Sequence, residues 1–279
     1  MDRNRQEQTE TLHQDKNTDL FSLLQKKQDI TIRDDHFGFE TILDAIRRFK
    51  NKKYRFRLID TGIFTPFELE WITGQGADLY TSDKIRANVQ ELELINASSR
   101  KGDAVVAYLV SGHLEADTEE APLTFSNLMD VGQNGLYIHL TNRNKIHDPA
   151  HMALLAYSCR KGGSWLVYYH HGPLQESLAE VGGNGAWIHI SDQSLGEEKS
   201  HSLVKDIILS ARSSGTNLIL HWEKGVRFSL LEDVVKSGAV VLFQSALFDY
   251  KSPIKALEKE IRRKRLDFRS YYLYPAVLP

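Results

Sequence analysis

The sequence predicts an α/β fold in which parallel strands and outer helices form a (β/α)8 TIM barrel. From residue 54 onward, short apolar runs alternate with segments of helical period. Such alternation favours parallel strands that are joined by right-handed crossovers. Eight units follow one another without interruption, which is the number that closes a TIM barrel. An internal repeat supports the same fold and is described below.

The eight predicted strands are short, are rich in β-branched and aromatic residues, and are bounded by turn residues. They are YRFRLID (54–60), ADLYTSD (77–83), AVVAYLV (104–110), LYIHLTN (136–142), SWLVYYH (164–170), AWIHISD (186–192), TNLILHW (216–222) and AVVLFQS (239–245).

Each predicted strand is followed by a segment of helical period with recognisable ends. Pro66, Pro149 and Pro253 stand in first turns, and glycines such as Gly102 and Gly162 follow last turns. The predicted helical segments are 64–74, 88–102, 124–132, 148–162, 174–182, 198–215, 226–238 and 252–266.

A repeat of strand, helix, strand and helix runs through the chain. Its units open at Gly76, Gly135, Gly185 and Gly238. The fourth unit is split, because its second half, RLIDTGIFTPFELEWITGQG, lies at the N-terminal end. A circular repeat of this kind favours a closed ring over the alternative, an open doubly wound sheet.

The segments outside the repeat divide the chain into four parts. Residues 1–19 are polar and aperiodic, which predicts disorder. Residues 20–53 contain LFSLLQKK and GFETILDAIRRFKNKK, which predict a helical N-terminal extension packed on the barrel. The barrel itself is predicted over 54–266. The aromatic tail 267–279 is a candidate surface for a protein partner.

Composition excludes several classes of partner and site. The formal net charge of -2 and the lack of basic stripes argue against nucleic acid. No apolar run approaches the ~20 residues of a membrane span, and the N-terminus lacks a signal-peptide core. The single cysteine, Cys159, excludes an internal disulfide. Together these features predict a cytoplasmic protein without membrane or nucleic-acid partners.

Strand side chains alternate between the barrel interior and the outer helices. In the four strands that open the repeat units, the set assigned to the interior includes Tyr80, His139, His189 and Leu242, with Ser82, Thr141, Ser191 and Gln244 nearer the strand ends. In the other four strands, counting back from the trailing glycines assigns Leu58, Asp60, Tyr108, Val110, Tyr168, His170, His221 and Glu223 to the interior. Ile59, Leu109, Tyr169 and Trp222 are then predicted to face the helices.

On this assignment, imidazoles and carboxylates converge at the C-terminal mouth of the barrel, where active sites of this fold lie. Neutral imidazoles are ligands for zinc or manganese, so a divalent transition-metal site is predicted from His139, His170, His189 and His221. Asp60 or Glu223 would act as a base towards metal-bound water.

This constellation resembles that of barrel hydrolases of the amidohydrolase and polymerase-histidinol-phosphatase type, which implies metal-dependent hydrolysis. Those families carry an H-x-H motif at the end of their first strand. This chain has Asp60, Thr61 and Gly62 at the end of its first predicted strand, so no residue roles are transferred from them.

Two alternatives stay open. In a metal-free enzyme, His170 or His221 acts as acid or base with Glu223, and Lys224 or Arg143 binds an anionic small-molecule substrate. Rim residues would make further substrate contacts, namely Asp83, Asn142, Asp192, Lys224 and Gln244. In a non-catalytic scaffold or partner-binding barrel, the duplicated histidines are structural and hydrogen-bonded in the interior.

Overall fold

The computed structural model describes residues 20–26, 29–49, 54–111, 123–196, 200–222 and 228–243. The strands are β1 (Ile30–Arg33), β2 (Phe56–Ile59), β3 (Asp78–Ser82), β4 (Val106–Val110), β5 (Tyr137–Thr141), β6 (Leu166–His170), β7 (Ala186–Ser191), β8 (Leu218–Trp222) and β9 (Val240–Phe243). The α-helices are α1 (Leu20–Leu23), α2 (Phe39–Phe49), α3 (Pro66–Gly74), α4 (Val89–Lys101), α5 (Phe125–Gln133), α6 (Pro149–Lys161), α7 (Ser177–Gly183), α8 (Ser200–Ser213) and α9 (Phe228–Ser237).

The strands form one parallel sheet in which every strand pairs with its neighbours in sequence, in the order β1 to β9. All eight predicted strands are present, and a helix follows each of β2 to β8 as predicted. The helix predicted over 252–266 and the tails 1–19 and 267–279 lie outside the described residues. No helix in the described ranges is long and apolar enough to cross a membrane.

The two faces of the sheet are buried in different ways. The outer face and the helices form one large apolar cluster, which includes Leu79 of β3 and Leu92 of α4. The inner face forms a second cluster whose buried members all come from strands β3, β4 and β6 to β9. Val167 and Ile219 of this second cluster are fully buried, and no described helix contributes to it.

A sheet face that is buried by residues of its own strands must curl around an interior. Together with the sequential parallel order, this confirms the predicted class, an α/β barrel of the TIM type. The strand number differs from the prediction, because the sheet has nine strands. Among the described residues each strand pairs with the next, from β1 to β9. Within those residues, β1 and β9 make no backbone pairing with each other.

The additional strand is β1, which lies in the segment that was predicted to be helical. It pairs in parallel with β2, from Ile30 opposite Phe56 to Arg33 opposite Ile59. Helices were correctly predicted on both sides of it, at α1 and α2. Residues 30–33 therefore add a strand between the two predicted helical segments of the extension.

The pleat of β2, β4 and β6 is opposite to the prediction, whereas that of β8 agrees with it. Leu58, Tyr108 and Tyr168 belong to the helix-facing cluster. The inner cluster contains Leu109 and Tyr169, and Ile59 packs against it. His221 of β8 faces inward as predicted, since Trp222 belongs to the helix-facing cluster and Ile219 to the inner one.

Consecutive helices approach closely where glycine ends α6. A Cβ atom on Gly162 would collide with the backbone of Gln133 and Gly132 at the end of α5. We therefore expect Gly162→Ala to destabilise the protein by about 2 kcal/mol through overpacking. Gly196→Ala is the control, since Gly196 has α-helical backbone angles and its nearest neighbour is at ordinary contact distance. Urea unfolding of both variants checks this, and equal stability would contradict it.

Candidate functional site

Four aromatic side chains from adjacent strands β5 to β8 form two hydrogen-bonded pairs in the barrel interior. His139 Nδ1 lies 2.9 Å from Tyr169 Oη. His189 Nδ1 lies 2.9 Å from His221 Nε2. The pairs touch each other, because the rings of Tyr169 and His189 have centroids 4.7 Å apart. We call these four residues the ring cluster.

The sheet register explains why these rings meet. Tyr169 of β6 lies opposite His189 of β7. His221 of β8 lies opposite Ser191, two residues beyond His189 and therefore on the same face of the sheet. From His139 to His221, the members of the ring cluster therefore lie progressively nearer the C-terminal ends of the strands. Active sites of this fold lie at that end.

Burial decreases along the ring cluster towards the barrel mouth. His139 is fully buried and His189 is almost so, whereas His221 is partly exposed. Desolvation lowers the pKa of His139 to about 3 and, with a smaller contribution from the nearby His171, that of His221 to about 4. His139 and His221 are therefore neutral near pH 7, and within the described residues His139 Nε2 has no hydrogen-bond partner.

Asp60 does not reach this interior. Its carboxylate accepts a hydrogen bond from Thr81 Oγ1 at 2.7 Å and a two-point contact from Arg86. Asp60 therefore lies on the helix-facing side of β2, where it anchors the loop that follows β3. Its predicted placement in the barrel interior is wrong, because the pleat of β2 is opposite to the predicted one.

His170 is also on the helix-facing side, for the same reason. Its Nε2 atom lies 2.8 Å from the carbonyl oxygen of Pro173, and its ring packs against Tyr168. Burial lowers the pKa of His170. The predicted set of four metal-binding histidines is therefore not assembled, since His170 points away from the other three.

The remaining predicted ligands do not form a complete metal site within the described ranges. There, no group of three or more His, Cys, Asp or Glu side chains is placed to hold one ion. His189 and His221 are the two that come closest, at 2.9 Å between nitrogen atoms. Three further predicted site residues, Glu223, Lys224 and Gln244, lie outside the described residues.

Two of the predicted rim residues link neighbouring strand ends. The Asp83 carboxylate accepts hydrogen bonds from the backbone N–H and the hydroxyl of Ser111, at 2.9 and 3.0 Å. The Asn142 side chain accepts from the N–H of His171 at 2.7 Å and donates to its carbonyl oxygen at 2.9 Å. Asp34, after β1, binds Thr61 after β2 in the same way. Asp192 is buried in a short 3-10 helix after β7.

Two residues of this region were missed by the sequence analysis. Tyr169 was assigned to the helices, and His171 was not among the predicted site residues. The Asp83–Ser111 and Asn142–His171 links occupy equivalent positions in the repeat, so the repeat itself carried the signal that His170 faces outward and His171 lies at the rim.

Comparisons with known proteins identify no family. No protein-family model matches the chain, and no curated protein matches it. Among solved structures, citrate synthase SbnG is 11% identical with a TM-score of 0.36, over 78% of this chain and 97% of that chain. An HpcH/HpaI aldolase from Desulfitobacterium hafniense DCB-2 is 8% identical with a TM-score of 0.38, over 88% of this chain and 96% of that chain. Likenesses this distant carry no argument about the reaction of this chain.

Proposed function

We propose that the protein is an enzyme that performs general acid–base chemistry on a small molecule at the C-terminal mouth of its barrel. One observation carries this proposal: the hydrogen-bonded pair of His189 and His221 near the open end of the interior. His221 is the more exposed member and would face the substrate. His189 would hold the ring of His221 in one orientation, as the second group does in catalytic pairs.

The surroundings of the pair support this role over a purely structural one. A buried imidazole pair costs desolvation free energy that an apolar pair at the same positions would not. Tyr169 and His139 extend the polar interior away from the mouth, so four polar rings share one face that Val167 and Ile219 otherwise make apolar. Concentration of titratable groups in an interior of this kind favours a functional site.

The experiment measures turnover of a panel of small metabolites by mass spectrometry. His221→Gln keeps a nitrogen near the position of Nε2 but does not titrate, and we expect it to slow depletion of the substrate about 100-fold or more. His151→Gln is the matched control, because His151 is exposed on the outer helix α6. Equal depletion by wild type and His221→Gln, or no depletion by any protein, contradicts the proposal and favours the non-catalytic scaffold.

Metal-dependent hydrolysis, with zinc or manganese, is the second candidate. The spacing of the His189 and His221 nitrogens favours it, since two imidazole nitrogens bound at ~2.0–2.1 Å to one ion also lie close together. The neutral ring of His221 suits a ligand role. Elemental analysis of the purified protein distinguishes the candidates. Stoichiometric metal that is lost in His189→Asn supports metal-dependent hydrolysis, and its absence from a protein that turns over substrate supports acid–base chemistry without metal.

A further inference from the structure

We propose that this site takes a small oxyanion, a carboxylate or a phosphate, which binds between Arg143 and His171 at the mouth beside His221. This inference rests on the proposed function and specifies its substrate class. It is carried by the loop that follows β5 and by the residue that follows β6.

The backbone positions of Arg143 and His171 are set by hydrogen bonds. The Asn142 side chain makes two hydrogen bonds with the backbone of His171, at 2.7 and 2.9 Å. Arg143 directly follows Asn142, and its N–H donates to Thr141 Oγ1 at 3.2 Å. The start of the loop is therefore fixed to the end of β6, and Arg143 and His171 are brought to the same part of the rim.

Among the described residues, the charges that act on His171 are positive. Burial lowers the pKa of His171, and the nearby positive charges of Arg143 and His170 lower it further. His171 in turn lowers the pKa of His221, so His171 lies near both Arg143 and His221. No described carboxylate forms an ion pair with Arg143, whereas Asp34 and Asp83 are bound to Thr61 and Ser111.

Two side chains in this part of the rim suit an anion. His171 Nε2 is buried and has no hydrogen-bond partner within the described residues. The Arg143 side chain is exposed and presents a guanidinium, which matches the two oxygens of a carboxylate or phosphate. A bound anion would give both His171 and Arg143 a hydrogen-bond acceptor. It would also raise the pKa of His171 and His221, which would make protonated His221 available as an acid.

Binding of two probes, inorganic phosphate and succinate, tests the inference by calorimetry at constant ionic strength. We expect at least one probe to bind wild-type protein, and Arg143→Gln to weaken that binding about tenfold or more. His171→Gln should weaken it as well. Lys161→Gln is the control, because Lys161 is an exposed cation in the last turn of α6, the helix that follows the Arg143 loop. It should bind as wild type does.

A second readout is the pKa of His221 and His171, followed by NMR of 15N-labelled imidazoles with and without the bound probe. A rise on binding is expected in wild type and in Lys161→Gln. Binding that Arg143→Gln leaves unchanged, or no binding of either probe, overturns the inference. If His221→Gln abolishes turnover in those cases, the proposed function stands and only the oxyanion assignment fails. If the probes bind as expected while His221→Gln retains full turnover, the acid–base role fails instead.

Discussion

Replacing Arg86 by methionine is expected to destabilise the protein by about 4 kcal/mol, because it leaves a buried carboxylate without its charged partner. Asp60 is 1% exposed and Arg86 is 8% exposed. The guanidinium contacts both carboxylate oxygens, with Nε 2.9 Å from Oδ2 and Nη2 3.0 Å from Oδ1. Arg86 also donates to the carbonyl oxygen of Phe64. Its replacement therefore leaves several buried acceptors unsatisfied.

Arg33 provides a control with the same geometry and different burial. It makes a two-point contact to Asp35 at 3.0 and 3.0 Å, but its side chain is 49% exposed. We expect Arg33→Met to cost less than about 1 kcal/mol, as exposed ion pairs do. Urea unfolding of the two variants measures the difference. Similar losses in Arg86→Met and Arg33→Met would show that burial of the Asp60 pair does not determine its contribution.

Sequence patterns predicted most of the strands of this fold and missed one. Strand–helix alternation and the glycine repeat predicted all eight strands from β2 to β9, because each is a run of apolar residues bounded by turn residues. β1 was missed because its four residues, ITIR, lie between two helical segments and are too few to show a period. A strand this short is recognised through its pairing with β2, which is a long-range contact.

The pleat of β2, β4 and β6 shows a second limit of sequence patterns. Both faces of a strand in a buried parallel sheet are apolar, so hydrophobicity does not distinguish the interior from the helix layer. In β4, for example, Tyr108 and Leu109 are both buried, on opposite faces. The assignment therefore rested on counting from glycines, and Asp60 and His170 were placed on the wrong face as a result.

The candidate site was predicted where the pattern was polar on one face and apolar on the other. His139 and His189 alternate with Ile138, Leu140, Ile188 and Ile190, which lie on the helix side. That contrast correctly placed both imidazoles inside the barrel. The partners of these imidazoles, Tyr169 and His221, depend on the stagger between strands, which only the three-dimensional register shows.

Neutral histidines in the interior make the stability of the protein depend on pH. The pKa of His139 falls to about 3 and that of His221 to about 4 in the folded protein, from an ordinary value of 6.5. A group whose folded pKa is lowered binds protons more readily when unfolded. The stability that its neutral form contributes is therefore fully present above pH 6.5 and is lost as pH falls towards the folded pKa.

Between about pH 7 and pH 5, each of these two histidines is expected to remove about 2 kcal/mol from the free energy of unfolding. His139→Asn tests this, because asparagine can replace the Nδ1 contact with Tyr169 but does not titrate. The variant should lose about 2 kcal/mol less than wild type over this range. His151→Asn, on the exposed surface of α6, should lose as much as wild type does. Urea unfolding at several pH values gives these slopes, and parallel slopes for wild type and His139→Asn would mean that His139 does not remain neutral through burial in the barrel.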